Sequence, residues 1–302
     1  MLPVPSNPPR ATLSGTIANI GAGLMPNHAR AAQVGFTQSD TAGGGANDVG
    51  MGSGFCAAAG GGGACNYAVT SRIGPVSLVA AVYDIEMGNY RLYTWATKFG
   101  LSVTANMPQT GLALTMIDRA SLVASTPTFV ASPMGLDRVA AAVGIDIPID
   151  GVSYVNAADK NAPITLPPLS AFPANTTYRM LGVAETAARE NGPRSITIVR
   201  GQTSTAMAVS QWLAPPATAA VTSTTATWSA ITGATLGVVT VPDKLECLVL
   251  DGSTSITFPA AIGGPAKVTI GALAGALDPS DFGFDRDVPT IWGVASRPVS
   301  LP

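Results

Sequence analysis

Asn66–Asp84 reads NYAVTSRIGPVSLVAAVYD, and Tyr90–Phe99 follows as YRLYTWATKF. In the first stretch two runs of strand character, Asn66–Ser71 and Val76–Asp84, are separated by a Gly-Pro break. In the second stretch Tyr93, Trp95 and Phe99 share one parity, which predicts that they line one face of a strand. No apolar pattern at helical spacing persists for four turns anywhere in the chain.

Working outward, the same signal recurs. Before and after this stretch come Thr12–Ile17, Ala31–Thr37, Leu101–Ala105 and Gly111–Ile117. A second group holds Val143–Ile149, Val152–Asn156, Thr177–Ala184, Ser195–Arg200 and Ala206–Trp212. A third holds Ala219–Ile231, Leu236–Val241, Leu245–Leu250, Ser255–Phe258, Lys267–Ala272 and Thr290–Ser296. Short strands broken at regular intervals by Gly, Pro, Asn and Asp predict an all-β protein of two or three tandem antiparallel β-sandwich domains. Asp150-Gly151, Asp251-Gly252 and Arg200-Gly201-Gln202 carry hairpin chemistry, since tight hairpin turns need positive φ. Ser121–Ala124, Gly135–Val143 and Ala184–Glu190 are short helical candidates that read equally well as strand or loop.

Domain boundaries come from composition. A Pro-rich leader covers residues 1–9. Modules span 10–124, with a glycine-rich insertion at 41–63, then 125–214 and 215–302. The Pro pair in Leu213–Thr218 (LAPPAT) stiffens the last junction and stops strand pairing. The first two modules are alternatively one larger unit.

Composition narrows the function. The 302 residues include 33 Gly, 24 Pro and one histidine, with 11% charged residues against 47% hydrophobic ones. A single His28 removes most proton-transfer and metal-ligand chemistry. The formal net charge of −2 offers no basic field for nucleic acid. No apolar run is long enough to span a bilayer as a helix. Of three cysteines, Cys56 and Cys65 bracket AAAGGGGA, where a disulfide would limit chain entropy. That pairing fits an oxidising, extracellular compartment. Cys247, in LECLVL, reads as a small core residue, and an odd cysteine is left over or pairs with another molecule.

Two stretches carry a family resemblance. TLSGTI at Thr12–Ile17, with Tyr67, Gly74, Leu78 and Ala80, resembles the carboxypeptidase-regulatory-like, transthyretin-type sandwich. Ala226–Thr235 (ATWSAITGAT) and Leu248–Pro259 (LVLDGSTSITFP) resemble a fibronectin-III-like sandwich with Trp228 as its core tryptophan. The layout is similar to surface lipoproteins of myxobacteria. This resemblance implies a cell-surface or extracellular location with an outer-membrane-anchored precursor, and no catalytic residues. No lipidation cysteine stands near residue 1, and the middle module resembles no family.

Chemistry-bearing clusters are few. Asp278, Asp281, Asp285 and Asp287 (DPSDFGFDRD) are the densest oxygen ligands and a calcium candidate, although they lack the spacing of an EF-hand and a closing Glu. The competing reading is a solvated loop with Asp-capped turns. Ser39, Asp40, Asn47 and Asp48 are a weaker cation candidate, set in flexible glycine. No G-x-S-x-G elbow accompanies His28, and no zinc spacing exists. Glu185 and Glu190 flank Arg189 as a surface ion group. Tyr90, Tyr93, Trp95 and Phe99, with Arg91 and Lys98, are either a stacking platform for sugars or core. Asn175-Thr176-Thr177 is a formal glycosylation sequon. The expectation is therefore a non-enzymatic extracellular or cell-surface protein, structural or adhesive, without a cofactor other than calcium. Its alternatives are a carbohydrate- or ligand-binding module, and a self-associating subunit of a filament or particle surface. A protein or glycan surface ligand is the expected partner class.

Overall fold

The computed structural model describes residues 10–18, 20, 29–37, 54–58, 64–87, 89–148, 151–159, 163–242, 244–259, 261–263, 266–276 and 291–301. Seven strands come first: β1 (Arg10–Ile17), β2 (Ala29–Thr37), β3 (Gly54–Ala58), β4 (Cys65–Arg72), β5 (Gly74–Glu86), β6 (Asn89–Val103) and β7 (Gln109–Met116). They form one sheet in the order β3-β2-β5-β6-β7-β1-β4. Its two end strands, β3 and β4, lie against each other, so the sheet curls round a single core. Leu13, Val34, Tyr67, Leu78 and Leu114 meet in that core from five different strands. β3 arises inside the glycine-rich insertion and pairs with β2, so part of that insertion is sheet.

β1 runs parallel to β7, with a register shift at Leu13/Gly15. There the backbones close in: a Cβ on Gly15 would sit 1.8 Å from the Leu112 carbonyl oxygen. Only glycine fits that approach. The Tyr67 hydroxyl donates to the same carbonyl at 2.7 Å, satisfying a phenol held inside the core.

β5 explains its own sequence. Val76, Leu78, Ala80 and Val82 face the first core, while Val79 and Ala81 face a second. A strand covered on both faces needs no polar alternation, hence VSLVAAV. β6 serves both cores as well, by a different device. Its pairing with β5 shifts register twice, at Val76/Leu78 and at Val82/Tyr83. Each extra residue flips the parity of the strand beyond it. Tyr93 therefore packs on the first core, and Trp95 and Phe99 on the second. The expected shared face holds for Trp95 and Phe99 and fails for Tyr93.

The chain then turns through a single 3-10 turn at Arg119–Ser121 into β8 (Val123–Ser125), β9 (Thr128–Phe129), β10 (Arg138–Ile147), β11 (Gly151–Asp159), β12 (Ile164–Leu166), β13 (Thr177–Glu185), β14 (Arg194–Gln202) and β15 (Ala208–Val209). The last strands are β16 (Ala219–Val221), β17 (Thr225–Trp228), β18 (Leu236–Val241), β19 (Leu245–Val249), β20 (Ser255–Thr257), β21 (Ala266–Gly275) and β22 (Ile291–Leu301). Eight of them make one sheet, β11-β10-β13-β14-β22-β21-β18-β19. This sheet draws strands from both the 125–214 and the 215–302 ranges, joined where β14 pairs with β22. Small pairs β8–β12 and β9–β15 and a three-stranded sheet β16-β17-β20 complete the set.

The second core lies between the outer face of β5 and β6 and the face of β10 and β13, and includes Trp95, Val143, Ile145, Tyr178 and Met180. A third core lies between β16-β17-β20 and the far half of the eight-stranded sheet, and includes Trp228, Val239, Phe258 and Ile270. Leu213, from the Pro-rich junction, is fully buried against Ala272, Ala274 and Ala295. Beside it Arg297 donates from Nε to the Pro216 carbonyl at 2.6 Å. The junction is docked onto the sheet.

Among the described residues the fold is all β apart from single 3-10 turns at Arg119–Ser121, Leu169–Ala171 and Arg189–Asn191. Gly135–Val143 opens into β10, and Ala184–Glu190 begins as the end of β13. Two turn expectations are corrected. Gly201, at φ 66°, sits inside β14 opposite a register shift, where its conformation makes a bulge and not a hairpin. Asp251-Gly252 connects β19 in one sheet to β20 in another, so it is a crossover between sheets.

Candidate interaction surface at the β19 flank

Several sequence-derived candidates fall outside the described residues: His28, the Ser39–Asp48 group, and Asp278, Asp281, Asp285 and Asp287. Among the described residues, no three His, Cys, Asp or Glu side chains gather into a metal-binding group. Cys65 is disulfide-bonded and Cys247 is free. The side chain of Cys56 lies outside what is described, and its backbone sits in β3, opposite Ala32.

The aromatic platform separates. Trp95 is 0% exposed, and Phe99 packs at 5.4 Å on Phe172. Tyr93 is held between guanidinium groups, 3.6 Å from Arg30 and 5.1 Å from Arg119. Arg91 is exposed and pairs with Glu86 at 3.8 Å. The side chain of Tyr90 is outside the described set. The surface ion group is also redrawn. Glu185 faces Arg138 at 3.3 Å, because β10 and β13 place those residues opposite each other. Asn175 is exposed at φ 66°, and the Thr176 hydroxyl donates to the Pro173 carbonyl at 2.7 Å.

Two ion pairs are structural, one buried and one half-buried. Arg30 and Asp84 are opposite residues of β2 and β5, 3.8 Å apart, with Asp84 only 2% exposed. They share the parity of Val34 and Val82, so they close one end of the first core. Arg30 also donates to the Ile20 carbonyl, which ties down the chain after β1. Arg179 and Asp146 pair at 2.8 Å on β13 and β10. Each charge is matched by its neighbour.

Concave surface gathers elsewhere, around the Asp251–Thr254 crossover. On one side a cleft of ≈ 180 Å³ is lined by Trp228, Ile231, Ala234, Thr235, Ser253 and Thr254. On the other an open groove of ≈ 400 Å³ runs along Cys247–Asp251 to Ser253, Ser255 and Ile256. Ser253 borders both. Its amide donates to Asp251 Oδ1 at 2.9 Å. That bond holds the Asp251 carboxyl below the usual carboxylate range. The crossover therefore presents a fixed negative charge between the two hollows.

β19 forms the rim. It is the terminal strand of the eight-stranded sheet and pairs with β18 on one side only. Leu245, Cys247 and Val249 turn toward the third core, where Cys247 packs half-buried against it. Leu248 is 38% exposed and Leu250, just beyond the strand, 56% exposed. Proteins guard such edges with lysine, proline, bulges or covering loops. Glu246 is the one charged residue inside this strand. Sequence reading found the strand but not its position, because strand order leaves no mark on a local pattern.

No family model matches the chain, and no curated protein matches it.

Proposed function

We propose that this chain is a non-catalytic protein of the cell surface or extracellular space that acts by contact, in a structural or adhesive role, and that the β19 flank makes the contact. The carrying observation is an apolar sheet edge left open beside a groove. Rigid sheets behind it hold the contact surface in place at no further ordering cost. The disulfide at Cys65 supports an oxidising compartment. The resemblance to surface lipoproteins adds an outer-membrane-anchored precursor to this reading.

Strand order supports the fibronectin-III-like, immunoglobulin-type sandwich for the last seven strands. The first, second and fifth of them share one sheet, and the third, sixth and seventh share the other. Immunoglobulin-type sandwiches divide strands A, B and E from C, F and G in the same way. Here the fourth strand, β19, lies beside the third.

Antibody labelling of intact native cells tests the location. Labelling without permeabilisation is expected; labelling only after permeabilisation would contradict the proposal. A second reading rests on the smaller cleft, whose lining includes Trp228, Ser253 and Thr254. A cleft lined by an aromatic residue and hydroxyl-bearing side chains suits a small neutral ligand such as a sugar ring. Calorimetric titration with a panel of monosaccharides checks it, and absence of heat at millimolar sugar removes it.

A further inference from the structure

The edges of the two large sheets are not equivalent. β3 and β4 lie against each other. β11, GVSYVNAAD, interrupts its apolar residues with Ser153, Asn156 and Asp159. β19 is apolar apart from Glu246, and no backbone hydrogen bond beyond those to β18 engages it among the described residues. An open apolar edge is a template for another strand.

We infer that β19 pairs antiparallel with β19 of a second copy of this chain, across a two-fold axis at Cys247. This rests on the proposed contact role and names the partner. Self-complementarity points to a second copy. A two-fold interface places the same patch on both partners. With Cys247 opposite Cys247, Leu245 faces Val249 and Glu246 faces Leu248, each twice. Within the five residues of the seam, no like charges stand directly opposite each other. Moving the axis one residue back would set Glu246 against Glu246, which cross-strand pairing disfavours. The paired state joins the two eight-stranded sheets into one.

A seam of one short strand per partner falls below the area of a standard stable interface. The dimer is therefore weak, with a dissociation constant on the order of 10–1000 µM. Such an affinity matters where many copies share one surface.

Sedimentation equilibrium of the full chain under reducing conditions, across a concentration series, tests this. The register makes opposite demands on two substitutions at one exposed site. Leu248→Glu puts Glu opposite Glu246 twice and is expected to weaken dimerisation ~5–30-fold. Leu248→Lys puts Lys opposite Glu246 and retains or tightens it. Neither side chain enters the core, and circular dichroism checks that both variants fold. Absence of a dimer at the highest soluble concentration overturns the inference. So does a dimer that both substitutions weaken alike, or that neither changes. An unrelated alternating apolar heptapeptide is the parallel probe. If it binds the β19 edge while the chain stays monomeric, the second copy is wrong and the contact role stands. If neither occurs, both fail.

Discussion

Tyr67 shows how one residue can be legible in kind but not in duty. The family resemblance implied a core tyrosine at this position, and Tyr67 is buried in the first core. Its hydrogen bond to the Leu112 carbonyl depends on β1 lying parallel to β7, a long-range fact absent from any local window. Burial raises the Tyr67 phenol above its ordinary pKa, and raises Tyr83 and Tyr178 in the same direction. The folded state thus favours the neutral phenol. This contribution is fully present below about pH 10 and is lost as pH rises beyond it. Melting temperature is expected to fall as pH rises above about 10. Tyr67→Phe should reduce that slope while costing about 1 kcal/mol at neutral pH through the orphaned carbonyl. An unchanged alkaline slope would show that Tyr67 ionises freely. Gly15 makes a related case. Gly15→Ala drives a Cβ into backbone, so denaturant unfolding should show a loss at or above the ~1–3 kcal/mol of ordinary overpacking.

At the scale of elements, β5 and β6 divide what sequence can and cannot disclose. The unbroken apolar run of β5 signalled burial, and the structure supplies the reason in its two covered faces. Parity alone misplaces Tyr93 in β6, because a bulge is a pairing property and reads as uninterrupted strand in one dimension. The ion pair between β2 and β5 was invisible for the same reason: Arg30 and Asp84 are far apart in sequence. Asp84→Ala leaves the Arg30 charge buried, and chemical denaturation should report a loss of about 3–5 kcal/mol. Replacing Arg30 by Met in that background should recover part of it; no recovery would mean the loss is packing alone. The curled sheet also frames the cysteine expectation, since β3 and β4 lie side by side. Peptide mapping without reductant is expected to link Cys56 to Cys65 and leave Cys247 open to alkylation. A Cys247-containing link would contradict it.

Across the whole molecule, the all-β architecture was legible because sparse charge and frequent Gly and Pro admit few alternatives. What was not legible is continuity. The β14–β22 pairing carries one sheet across the Pro-rich junction, and Leu213 is buried in that junction. Continuity decides which strands end as edges, and hence where contact is made. The candidate surface is thus a product of strand order, while the residues that line it, LECLVL and the Asp251–Thr254 crossover, were read only as strand and turn. Amide hydrogen exchange of the full chain, followed along β19 in dilute solution and again at high concentration, tests the open edge most directly. The account predicts that β19 amides exchange well ahead of those in β18 and β21 when dilute and gain protection as concentration rises. Amides of β19 as slow as those of β18 in dilute solution would mean that the edge is already covered, and would contradict it.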